Sequence, residues 1–156
     1  MAQQSRKEKK CRKSAYERAL DLASRRDYTT GEIGRKLVQN GYNPDEIPAV
    51  LERLIEIGLL DDVRYVELYV LQRLAASYGP RYITEKLYAK GIERQMSEAA
   101  IEQHIIAEDI SLEDNAFQWI EKLNLDNQKE RDKALRRLIA RGYDYQLARH
   151  VITSST

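Results

Sequence analysis

Apolar residues along this chain recur at helical spacing, three or four positions apart, and no stretch alternates singly for long enough to suggest a strand. The clearest pattern occurs three times. Ile33 and Leu37, Ile83 and Leu87, and Ala134 and Leu138 each lie four residues apart, so each pair shares one helix face. A glycine and another apolar residue follow each pair, in "KLVQNGY" (36–42), "KLYAKGI" (86–92) and "RLIARGY" (137–143). The glycines Gly41, Gly91 and Gly142 are spaced 50 and 51 residues apart, a period that predicts repeated helical modules. Each glycine reads as a helix stop in the left-handed conformation, with the next residue packed on a leucine five positions earlier. The predicted pairs are Tyr42 with Leu37, Ile92 with Leu87, and Tyr143 with Leu138. Val50/Leu51, Ala100/Ile101 and Val151/Ile152 then fall at matching positions of a further helix in each module.

Helix-start signals agree with this spacing. Thr29 with Glu32 forms a capping box, Gly79-Pro80 places proline at a first helical position, and Asn127 with Glu130 opens the third matched helix. Asn43-Pro44 begins another helix through Ile47, Leu51 and Leu54 towards Gly58, with Pro48 perturbing its first turn. One more helix precedes each pair, at about 14–26, 62–77 and 112–123. The predicted fold is all-α: nine helices in three tandem three-helix repeats, stacked into an elongated, curved body. The expected divisions are a basic flexible tail at 1–13 and repeats at 14–60, 61–110 and 111–156.

Charge is unevenly spread. Residues 1–13 hold six of the 26 Lys and Arg but one of the 25 acids, which gives the tail +5 and leaves the rest at −4. Such a tail suits either solubility or contact with an acidic partner or a nucleic-acid backbone. The single cysteine, Cys11, excludes an intramolecular disulfide, and no apolar run reaches the roughly 18–20 residues of a membrane span. We expect a soluble cytoplasmic monomer.

Catalytic chemistry finds no constellation. His104 and His150 are the only histidines, and His104 occupies the place of Leu54 in the first repeat, a half-buried helix position. Metal-binding Cys/His spacings and phosphate-cradling glycine loops are missing from the sequence. We expect no enzyme activity, no metal and no cofactor. In "IGLLDDVRY" (57–65), Gly58 ends one helix with Leu59 folded back on Leu54, and Asp61 or Asp62 caps the next. Tyrosines interleaved with cations in "YGPRYITEKLYAKG" (78–91) and the basic "KERDKALRRLIAR" (129–141) suggest contact surfaces instead. The candidate partner-binding residues are Arg64, Arg73, Arg81, Lys86, Lys90, Lys133, Arg136, Arg137 and Arg141.

"GLLDDVRYVELYV" (58–70) resembles the G-x-L-D-D-x-R-F-A pattern of the RecX family of regulatory proteins. "YGPRYITEKLYAKGI" (78–92) resembles its G-P-x-x-I-x-x-x-L-x-x-K-G-I pattern. Residues 26–42 and 134–152 match its first and third repeats more loosely, and Gly41, Gly58, Asp61, Asp62, Gly79, Pro80, Gly91 and Gly142 carry the structural signature. Tyr65-Val66 stands where Phe-Ala is common, and Lys86 where an acid often precedes the leucine. The resemblance implies an all-helical protein that binds RecA filaments on DNA and mainly inhibits RecA ATPase, strand exchange and filament growth, in recombination, DNA repair and the SOS response. Direct contact with the nucleic-acid backbone is a further expectation. Paired short helices also leave open an independent DNA-binding module, or a helical scaffold for another partner.

Overall fold

Helices of nine to fourteen residues are marginal alone, so this chain relies on caps and on packing. The computed structural model describes residues 12–156, which places all of the tail except Arg12 and Lys13 outside the described residues. Among the described residues there are nine α-helices and no strand. They are α1 (Ala15–Ala23), α2 (Thr30–Gln39), α3 (Ile47–Glu56), α4 (Asp62–Ala75), α5 (Pro80–Ala89), α6 (Arg94–Ala107), α7 (Leu112–Ile120), α8 (Gln128–Ala140) and α9 (Tyr145–Ser154). A 3-10 turn at Pro44–Glu46 precedes α3, and the ring of Pro48 falls in the first turn of α3. The chain divides into two compact units, one ending at Asp61 with α1–α3 and the other from Asp62 with α4–α9.

Three separate apolar cores follow the repeat pattern. Ile33, Leu37, Ile47, Leu54 and Leu60 close the first, with Tyr42, Val50 and Leu51 packed at its edge. Val66, Val70, Ile83, Leu87, Ile92 and Ile101 fill the second. Ala116, Ile120, Ala134, Leu138, Tyr143, Val151 and Ile152 fill the third. The helix starts are as the sequence predicts. Thr29 and Glu32 bond reciprocally at 3.0 and 3.1 Å, and the Asn127 side chain accepts from the Glu130 N–H at 3.0 Å. A second reciprocal box joins Ser14 and Glu17 ahead of α1. Helix α4 begins at Asp62, so Asp61 takes the position just before it and Asp62 puts negative charge in its first turn.

All four predicted stop glycines are left-handed, with φ of +79° at Gly41, +76° at Gly58, +87° at Gly91 and +96° at Gly142. The residue after each donates its N–H to the leucine five positions back, at 3.1, 3.0, 3.0 and 3.2 Å. One expectation needs correction. Leu59 does not fold onto the core; it is 43% exposed, and Leu60 is the buried residue at 1%. The chain continues past the cap so that the Leu60 N–H also reaches the Leu54 carbonyl, at 3.3 Å, and its side chain turns inward.

Two stops use no glycine. Ser77 (φ +59°) and Asp109 (φ +48°) take the same left-handed conformation at the ends of α4 and α6. Tyr78 N–H reaches the Arg73 carbonyl at 2.9 Å, and Ile110 N–H reaches that of Ile105 at 2.9 Å, the same bond pattern as at the glycines. Residues with a Cβ are strained there. We therefore expect Asp109→Gly to stabilise the fold by about 1 kcal/mol, read as a raised urea midpoint. Gly58 has open space around its missing Cβ, whereas a Cβ on Gly142 would stand 2.6 Å from Tyr82 Cβ and 2.8 Å from the Gly79 carbonyl oxygen. Gly58→Ala should then cost about 1 kcal/mol of backbone strain, and Gly142→Ala about 3 kcal/mol or more. Equal losses in urea unfolding would refute the close-approach explanation.

Candidate partner-binding surface

The second and third repeats meet where the end of α8 caps the start of α5. The N-cap of α5 is Gly79, which has no side chain to offer its unpaired amides. Backbone carbonyls from the α8 turn take that role. Gly79 N–H donates to the Arg141 carbonyl at 2.7 Å, and Arg81 N–H to the Gly142 carbonyl at 3.2 Å. Pro80 between them has no N–H to satisfy. The electronegative end of one helix thus meets the electropositive end of another. Only glycine permits it: a Cβ on Gly79 would lie 2.5 Å from the carbonyl carbon and oxygen of Gly142.

Side chains close the joint. Arg141 Nε donates to the Ser77 carbonyl at 3.0 Å, Arg141 Nη2 donates to the Ala76 carbonyl, and Tyr143 Oη donates to the Ser77 carbonyl at 2.9 Å. Asn115 Nδ2, on α7, donates to the Leu74 carbonyl at 3.3 Å. The Arg141 guanidinium lies 3.9 Å above the Tyr78 ring and 4.8 Å from that of Trp119.

From this joint a ladder of aromatic rings and cations runs along α4 and α5. Tyr78 stacks on Tyr82 at 4.2 Å, and Lys86 sits 5.3 Å from the Tyr82 ring. Arg73 bridges Tyr78 and Tyr69 at 5.7 and 4.9 Å, Tyr69 stacks with Tyr65 at 6.2 Å, and Lys90 closes the row 5.6 Å from Tyr65. Except for the exposed Lys86, these groups are half-buried, so most of the cations lie along ring faces. Burial pushes the Tyr69 phenol above its ordinary pKa, against the lowering pull of the Arg73 guanidinium. Arg73 Nε is itself buried and makes no hydrogen bond among the described residues.

The nominated cations therefore separate into two groups. Arg73, Lys86, Lys90 and Arg141 belong to the ladder and already engage neighbouring rings. Arg64, Arg81, Lys133, Arg136 and Arg137 are exposed outside it, Lys133 3.8 Å from Glu130. Arg81 borders an open cleft of about 590 Å³ between α5 and α6, with Glu85, Arg94, Glu98 and Glu102 beside apolar Ile101 and Ile105. Tyr88 is 58% exposed with Arg94 over its ring at 4.7 Å, while Tyr82 packs inward. His104 is half-buried, and His150 Nε2 lies 3.1 Å from Glu113 on the outer face of the third repeat. No group of three or more His, Cys, Asp or Glu side chains converges to hold a metal among the described residues, and no helix there is long and apolar enough to cross a membrane.

Sequence reasoning missed Ser77 and did not bring Tyr78 and Trp119 together at one joint. Ser77 and Tyr78 gain their roles from Arg141 and Tyr143 of the third repeat, Trp119 from Arg141 of its own, and only the oddity of "GP" directly after "SY" hints at a crowded turn. Burial in the joint pushes the Tyr143 phenol up to about 12. A raised folded value stabilises the neutral phenol, so this contribution is complete below pH 10 and disappears as pH rises from about 10 through about 12. Melting temperature should drop across that window, and Tyr143→Phe should reduce the drop. At neutral pH Tyr143→Phe should cost about 1 kcal/mol, because the Ser77 carbonyl keeps its Arg141 partner.

The first repeat matches the family model described as the RecX first three-helix domain over residues 15–54, and the second matches the RecX second three-helix domain over 61–101. The regulatory protein RecX of Pseudomonas fluorescens strain SBW25 is 35% identical over 139 residues, spanning 86% of this chain and 87% of its own length. That of Pseudomonas tolaasii is 36% identical over the same extent. The crystal structure of RecX from Lactobacillus salivarius is similar with a TM-score of 0.72 at 25% identity, covering 90% of this chain and 93% of that one. Two matched helical domains and similarity along most of both chains place this chain in the RecX family of regulatory proteins.

Proposed function

We propose that this protein binds RecA filaments on DNA and restrains their ATP hydrolysis, strand exchange and growth, in recombination, DNA repair and the SOS response. The observation that carries the reading is the likeness to regulatory protein RecX across 86% of the chain, together with the two family domains. The reading takes 14–60, 61–110 and 111–156 as three repeats, with residues 1–13 as a basic tail. It assigns filament contact to the exposed cations Arg64, Arg81, Lys86, Lys133, Arg136 and Arg137, and gives Arg73, Lys90 and Arg141 the task of shaping the ladder from within. Such a surface makes many modest contacts instead of one dominant one.

The test is RecA ATPase on single-stranded DNA, titrated with the full chain, with a chain lacking residues 1–13, and with Arg136→Ala/Arg137→Ala. Hydrolysis should slow as filament occupancy rises, and the double variant should need about two- to fivefold more protein, as expected for two exposed charges. Saturable filament binding that leaves hydrolysis, strand exchange and assembly untouched would overturn the reading. Steeply salt-dependent binding to bare DNA with no effect on RecA would favour an independent DNA-binding module. Loss of inhibition on truncation would give the tail a part in the contact.

A further inference from the structure

Two of the three matched glycine turns end in tyrosine, and both tyrosines grip a backbone carbonyl from outside their own turn. Tyr143 Oη holds the Ser77 carbonyl at 2.9 Å, and Tyr42 Oη holds the Lys13 carbonyl at 2.7 Å. An arginine completes each grip. In the third repeat Arg141 reaches out of the turn to the carbonyls of Ala76 and Ser77. In the first repeat the direction is reversed: Arg12 Nη2 reaches into the turn to the Asn40 carbonyl at the end of α2, and its guanidinium lies 4.5 Å over the Tyr42 ring. Gly41 leaves the room, since a Cβ there would stand 3.3 Å from Arg12 Nη2.

The gripped segment is tied down further along. Lys13 Nζ pairs with Asp21 on α1, and its hydrogen bond to that carboxyl holds Asp21 below the ordinary carboxylate range. Ser14 then starts α1 through its capping box with Glu17. The second repeat carries Ile92 at the tyrosine position and has no hydroxyl to offer.

We propose that the Gly41–Tyr42 turn is a latch for the chain's own basic N-terminal segment, closed on Arg12 and Lys13 in the way that the Gly142–Tyr143 turn closes on residues 76–81. The latch fixes the point at which the basic segment meets the first repeat. It also means that Arg12 and Lys13 are held against the first repeat while closed, although both stay exposed at its surface.

Cleavage of the full chain after Lys13 by a lysine-specific endoproteinase, followed by mass spectrometry, reads the open fraction. Tyr42→Phe and Arg12→Ala should each speed that cleavage about fivefold, the effect of one hydrogen bond of about 1 kcal/mol. Cleavage after Lys36, inside α2 of the same unit, should not change, which separates latch opening from unfolding of the first repeat. Tyr143→Phe should leave cleavage after Lys13 at the unmodified rate. Equal cleavage after Lys13 in the unmodified chain, Tyr42→Phe and Arg12→Ala would overturn the proposal. So would acceleration after Lys13 matched by equal acceleration after Lys36.

Discussion

The structure depends most on one meeting of helix ends. Helix α8 finishes with carbonyls that have no partner in their own helix, and α5 starts with amides in the same position. Bringing Arg141 and Gly142 against Gly79 and Arg81 pairs two carbonyls of the one end with two amides of the other. The dipoles of the two helices then support each other across the buried Gly79 and Gly142. The absence of a Cβ on both glycines sets the distance, and everything else at the joint follows from it. With the backbones this near, Arg141 and Tyr143 reach the Ser77 carbonyl, and Tyr78 comes under the Arg141 guanidinium.

The same closeness explains why a surface rich in arginine and lysine is not simply a charged face. A guanidinium lying on a ring keeps part of its hydration, covers apolar area and holds the ring in place. Arg73 and Arg141 each contact two rings, so they tie α4, the α4–α5 turn and the third repeat into one row. Chemistry that looks made for a partner is here partly used on the chain itself. The exposed cations beyond that row differ in kind, because their side chains lie on the outer surface.

Much of the fold was legible in the sequence because its cause is local. The spacing of Ile33, Leu37 and their counterparts, the capping pairs and the stop glycines all act within a few residues, and each appears where the residues predict it. What was not legible depends on contacts across long separations or on conformations that residue type does not announce. Ser77 and Asp109 are left-handed although neither is glycine, and nothing nearby in sequence marks them. Leu59 and Leu60 are both leucine, so composition could not decide which one turns inward. For the candidate surface, Tyr78, Trp119 and Arg141 come from three different stretches, and only the joint brings them together.

The glycine pair has a bearing on how such a chain changes over generations. A bulkier residue at 79 cannot be accommodated by a smaller one at 142, since that position already has the smallest side chain there is, and the reverse holds equally. Neither site offers the other a compensating change. The second and third repeats are therefore transplantable only together: a third repeat borrowed from elsewhere would need its own glycine-led turn, held at the same height, before it could be joined to this second one.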